Sequence, residues 1–76
     1  DTLEYNELKG RYEEALAKLP EKQREVFLMS RLEDLTYREI AERLDISQKA
    51  VEKRMSNALS KLKKIIVLLW VTITII

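Results

Sequence analysis

The stretch LTYREIAERLDISQKAVEKR, residues 35–54, decides the fold. Thr36-Tyr37-Arg38-Glu39 has the spacing of a capping box: a hydroxyl and a carboxylate three residues apart each satisfy a backbone N–H left without a partner at a helix start. A short helix is expected from Tyr37 to Leu44. Asp45-Ile46-Ser47 reads as a break, because Asp tolerates a turn conformation, Ile46 fills the gap between helices and Ser47 is a good N-cap. A further helix then begins at Gln48. In it Val51, Met55, Ala58 and Leu62 recur at four-three-four spacing and form a buried stripe, leaving Lys49, Glu52, Lys53, Ser56, Asn57 and Ser60 outward.

Two short helices joined by a three-residue turn, with small Ala41 inside the first and Val51 inside the second, make a helix-turn-helix arrangement. A larger side chain at position 41 would push the two helices apart. Upstream, Tyr5, Leu8, Tyr12, Ala15 and Leu19 recur at spacings of three and four, which predicts a helix from Leu3 to Leu19 with one apolar stripe, capped by Asp1 with Glu4. Pro20 suits a first helical position, where its missing N–H costs nothing, and Glu21 suits the positive end of the helix dipole. A helix from about Pro20 to Leu32 follows, with Val26, Phe27 and either Met29 or Ser30 inward. Glu21, Arg24 and Glu25 read chiefly as solvated. The fold class is therefore all-α: a four-helix domain over residues 1–64 containing the helix-turn-helix, with an apolar C-terminal tail over residues 65–76.

Charge is unevenly placed. Residues 1–47 carry 8 Lys and Arg against 12 Asp and Glu, a net −4, whereas residues 48–64 carry 6 against 1, a net +5. A basic segment of one helix's length beside an acidic remainder points to nucleic acid, which the whole-chain net charge of +1 hides. Reading a major groove needs a helix of the groove's width, side chains that donate or accept at base edges, and cations for the phosphates. Gln48, Lys49, Glu52 and Lys53 lie in the first turns and are the candidates for bases, Lys49 donating to guanine and Glu52 accepting from a cytosine amino group. Thr36, Tyr37, Arg38, Ser47, Arg54 and Lys61 are the candidates for the sugar-phosphate backbone, with Lys63 and Lys64 beside them.

The chain has no cysteine and no histidine, which removes disulfides, thiolate and imidazole metal sites and the usual nucleophile and base pairs. No enzyme activity, metal or cofactor is expected. The chain starts at Asp1 without an initiator Met and shows no signal-peptide core in its first 20 residues, so it reads as part of a larger cytoplasmic protein.

On three motifs the sequence resembles region 4 of bacterial RNA polymerase sigma factors, especially the extracytoplasmic-function class, over residues about 5–64. The motifs are Leu19-Pro20-Glu21-Lys22-Gln23-Arg24-Glu25-Val26-Phe27, then Leu35 through Leu44, then Ile46-Ser47 with Ala50-Val51-Glu52-Lys53-Arg54. The first is the most discriminating, since many helix-turn-helix families share the second. The resemblance implies recognition of the -35 promoter element by the helix from Gln48, docking on the β flap of the polymerase core, and base reading by Gln48, Lys49, Glu52 and Lys53. It also implies that the part reading the -10 element lies elsewhere. Two residues depart from the pattern: Asp45 stands where the family usually has Gly, and Ala50 where a Thr often precedes the Val. The output domains of response regulators are resembled less well; they would bind two half-sites as a symmetric dimer. The rival from a different class is a protein-interaction module whose basic helix binds an acidic partner.

From Ile65 to Ile76 every residue is apolar except Thr72 and Thr74. The run falls short of the roughly 20 residues a membrane-spanning helix needs, so membrane contact is not expected on that ground. Ile65, Leu68 and Leu69 continue the buried stripe, while the β-branched residues from Val71 onward favour an extended strand, so the helix is expected to end near Trp70. An apolar segment of this size reads as an interface for self-association through Ile65 to Ile76, for the rest of a sigma factor or for an anti-sigma protein. Alternatively it folds back on the first helix and completes the core.

Overall fold

The computed structural model describes the backbone of residues 2–75 and the side chains of residues 5–74. Four helices follow in order: α1 Thr2–Lys18, α2 Glu21–Arg31, α3 Tyr37–Leu44 and α4 Gln48–Ile75. The fold is all-α, with no strand among the described residues. Asp1 and the side chain of Glu4, expected to cap α1, lie outside the described residues.

α4 is the axis of the molecule, and α1, α2 and α3 all pack on it. Its stripe of Val51, Met55, Ala58 and Leu62 is buried throughout. Two apolar clusters form along it. Leu19 and Phe27 pack with Met55, Ala58 and Leu62; Val26, Met29, Ile40 and Ala41 pack with Val51. Tyr37, at the start of α3, touches both clusters. Met29 and not Ser30 completes the inward face of α2, since the thioether lies in the core while Ser30 is half-buried.

The helix boundaries have local causes. Pro20 takes the N-cap position of α2, one residue before the helical position expected for it, with ψ at 143° and therefore extended backbone. Its carbonyl accepts from the N–H groups of Gln23 and Arg24, both at 3.0 Å, so the helix starts without a side-chain cap. Arg24 is not merely solvated: its Nη1 donates to the carbonyls of Ala17 and Leu19, each at 3.0 Å. These carbonyls belong to the end of α1, where no intrahelical donor remains, so one guanidinium closes α1 and fixes the α1–α2 corner. In the loop after α2, Asp34 takes a left-handed conformation with φ 54°, and Arg43 of α3 pairs with Glu33 at 2.7 Å.

Asp45 ends α3 in the left-handed region, at φ 56° and ψ 48°, and the N–H of Ile46 donates to the carbonyl of Ala41 at 3.0 Å. This is the conformation a glycine adopts without a Cβ penalty, which accounts for the strain expected of Asp at this position.

The tail departs from expectation. α4 does not end near Trp70 but runs to Ile75, with no strand formed. Strand preference needs a neighbouring strand to satisfy it, and none exists among the described residues, whereas each residue added to an existing helix gains a backbone hydrogen bond without a new nucleation cost. The two threonines also fit a helix: Thr72 Oγ1 donates to the Leu68 carbonyl and Thr74 Oγ1 to that of Trp70, both at 2.8 Å.

Two substitutions test these local causes. Replacing Arg24 by Ala is expected to lower stability by about 1 kcal/mol, below the usual range for bonds to a charged donor because the group is partly solvated; Arg24→Lys should restore part of this, since both carbonyls accept from one nitrogen, Nη1, and the shorter side chain brings its ammonium less fully to that position. Asp45→Gly should raise stability by roughly 1 kcal/mol by relieving the left-handed backbone. Thermal and denaturant melts of the purified variants measure both.

Candidate nucleic-acid interface

The arrangement of α3, the Asp45 to Ser47 turn and α4 follows from the core. Ile40 and Ala41 of α3 and Val51 of α4 share one cluster, with Leu44 and Ile46 packed against it, so the turn is pinned from inside. With Val51 and Met55 facing inward, helical geometry sends Lys49 and Lys53 the other way and sets Glu52 on the flank, while Gln48 lies near the line of the stripe in the first turn; all four are exposed. They form one continuous polar patch over the first turns of α4. None of the four is in an ion pair among the described residues, so their donors and acceptors are free to meet another molecule.

The ends of the two helices are capped. The Glu39 N–H donates to Thr36 Oγ1 at 3.1 Å while the Thr36 N–H donates to Glu39 Oε1 at 2.8 Å, the reciprocal pair expected from the spacing. The backbone bond from Thr36, then the bond from its side chain, hold the Glu39 carboxyl below its ordinary value of 4.5, against a smaller opposing effect of burial and with help from Arg43 and Arg38. Ser47 Oγ accepts from the Ala50 N–H at 3.0 Å. Both hydroxyls are thus occupied in holding helix starts.

The remaining candidates for the sugar-phosphate backbone divide by environment. Arg38 is exposed and forms a loose pair with Glu42 at 3.4 Å, which leaves the guanidinium available. Arg54 is half-buried beside the stripe. Tyr37 is also half-buried, its ring committed to bridging the two clusters. Lys61 donates to Gln23 Oε1 at 3.0 Å and so ties α4 to α2, well along the helix from the patch at Gln48. The structure therefore groups Gln48, Lys49, Glu52 and Lys53 with Ser47 on one surface, sets Thr36 and Arg38 at the start of the preceding helix, and leaves Lys61 apart.

Beyond these residues, Arg24, read from the sequence as solvated, is a structural fixture that closes the end of α1. Its signal lay in the Leu19 to Phe27 motif, where an arginine one turn beyond a proline can reach back to the preceding helix end. No group of His, Cys, Asp or Glu among the described residues could hold a metal.

A short helix, a tight turn and a second helix that carries an exposed basic and amide face define a helix-turn-helix module. The model of the sigma-70 region 4 family matches residues 9–62, and the chain belongs to that family. It is thereby a DNA-binding domain of transcription initiation factors, a regulatory and not an enzymatic family. No curated protein and no solved structure was found to match the chain.

The cap yields a pH prediction. The carboxyl of Glu39 is held lower in the folded chain than in the unfolded one, so its contribution is complete above the ordinary carboxylate value of 4.5 and is lost as pH falls through the lower folded value. Glu39→Gln, which keeps an acceptor oxygen but cannot titrate, should flatten the acid limb of a melting-temperature profile below that value.

Proposed function

We propose that the chain recognises the -35 promoter element as one copy on an asymmetric site, with α4 in the major groove. Gln48, Lys49, Glu52 and Lys53 meet base edges, while Arg38, Arg54 and the starts of α3 and α4, capped by Thr36 and Ser47, lie along the backbone with Tyr37 behind them. The observation that carries the reading is the exposed, ion-pair-free patch at the beginning of α4, fixed in direction by the buried Val51 and Met55 on its other side. Capping also contributes. The N-terminal end of a helix is its positive end, so each of the two helix starts favours phosphate.

The chemistry at each position supports a division of labour. Gln48 offers both a donor and an acceptor, as adenine requires; Lys49 and Lys53 donate, as guanine requires; Glu52 accepts, as the cytosine amino group requires. Glu52 is the one acidic residue after Asp45, and placed among cations it adds discrimination at the expense of general phosphate attraction. Lys61, bound to Gln23, serves the backbone only where that bond opens. Family membership supports joint action with RNA polymerase; docking on the β flap of the core and action in the cytoplasm are part of the same proposal, carried over from the resemblance.

Selection from a pool of random duplexes at low and moderate salt tests this reading. Enrichment of one short asymmetric motif is expected, with Lys49→Ala weakening the selected duplex by roughly 5- to 150-fold, the range for one base contact. Arg38→Ala should instead weaken all duplexes alike and reduce the salt dependence. A symmetric two-half-site motif, or equal binding to every duplex unchanged by Lys49→Ala with Lys53→Ala, would contradict the proposal.

A further inference from the structure

Beyond Leu62, the last residue with no exposed surface, α4 continues to Ile75 outside the part of the chain matched by the family model. Ile66 still packs on the core through one side of the helix. Val67, Leu68 and Val71 are exposed away from it, and Trp70 and Ile73, which line one depression with Ile66, Tyr12 and Phe27, are exposed on its own side, at 68% and 59%. At 100° per residue these five side chains sweep about 220° of the helix surface. A seam with one partner helix needs an apolar stripe roughly half as wide, so a second helix would leave much of this surface wet.

Two further observations say what covers it. No residue from Lys53 to Ile76 is acidic, and Lys63 and Lys64 border the same shallow depression as Val67 and Leu68. The apolar surface therefore begins at a pair of exposed cations on its own side of the helix. In addition, Thr72 and Thr74, the polar residues of the segment, spend their hydroxyl protons on carbonyls of the same helix. The segment's one remaining side-chain donor is the indole N–H of Trp70, a group suited to the polar boundary of a bilayer.

We propose that the last turns of α4, from Ile65 to Thr74, are a docking surface for an anionic lipid bilayer. Lys63 and Lys64 meet the phosphate groups, and Val67, Leu68, Trp70, Val71 and Ile73 enter the acyl region of one leaflet. Hydrocarbon is a partner without fixed shape, so it covers a wide arc as readily as a narrow stripe, and lysine and tryptophan are the side chains suited to its boundary. No helix among the described residues is long and apolar enough to cross a membrane. The segment rises about 15 Å, roughly half the hydrocarbon thickness, which matches one leaflet and keeps the length argument against spanning intact. About 18 Å of helix separates Lys53 from Ile65, so the base-reading patch and the lipid surface do not overlap.

Trp70 is the only tryptophan and reports directly on the segment. The 76-residue chain would be titrated with vesicles of phosphatidylcholine alone and with vesicles containing phosphatidylglycerol, following Trp70 emission and co-sedimentation. The expected result is a blue shift and sedimentation with the anionic vesicles, weakened by salt. Lys63→Gln with Lys64→Gln should reduce partition by roughly 30-fold, about fivefold for each lysine near the surface, and Val67→Ser with Val71→Ser should abolish the blue shift. All four positions are exposed, and circular dichroism checks that each variant keeps its helices. Absence of binding to anionic vesicles would overturn the proposal. So would an equal loss on Lys49→Ala with Lys53→Ala, which would make the attraction diffuse charge. A blue shift that follows protein concentration without vesicles, with oligomers in sedimentation velocity, would assign the surface to a second copy instead.

Discussion

Everything in this molecule depends on the burial of one stripe of α4, Val51, Met55, Ala58 and Leu62, which is shared by the three other helices. The chain is too small to build separate cores for stability and for function. A single helix therefore serves both, one face closing the core and the exposed face carrying the polar residues proposed to meet DNA. The inward side chains set the rotation of α4 about its axis, and that rotation sets where Lys49, Glu52 and Lys53 point. A substitution that rolled the helix by one position would move the whole reading surface, so the core acts as the positioning device for recognition.

The second constraint is on the chain ends of the helices. Few residues lie between one helix and the next, so the unsatisfied backbone groups at each junction have to be met locally. Arg24 meets the carbonyls at the end of α1, Thr36 with Glu39 meets the start of α3, and Ser47 meets the start of α4. These polar fixtures hold α2, α3 and α4 at defined angles while the apolar clusters hold them at defined distances. The same fixtures leave two helix starts near the proposed phosphate path, so folding and recognition draw on one set of groups.

Much of this was legible in the sequence because it rests on local chemistry. The capping box, the Asp45 to Ser47 break and the four-three-four stripe each involve residues within a few positions of one another, and each appears as read. The sigma-like motifs pointed to the family that the comparison shows. What was not legible rests on contacts that spacing does not encode. Arg24 looked like one solvated charge among several, since its partners are backbone carbonyls of another helix. Tyr37, a backbone candidate by its place at a helix start, and Lys61, one by its charge, also contact the core and Gln23 respectively, which spacing does not encode. The tail was misread where β-branched residues suggested a strand: α4 was already nucleated, and its threonines could bond within it.

The central claim is that the exposed face at the start of α4 is the DNA surface. Titrating the isotope-labelled chain with a promoter duplex and following every backbone amide by nuclear magnetic resonance tests it most directly. The account predicts that the largest shifts fall on residues 47–54, with a second set at 36–38, while amides of α1 and of residues 66–74 change little. Shifts concentrated on α1 or on the C-terminal turns of α4, with residues 47–54 undisturbed, would contradict it.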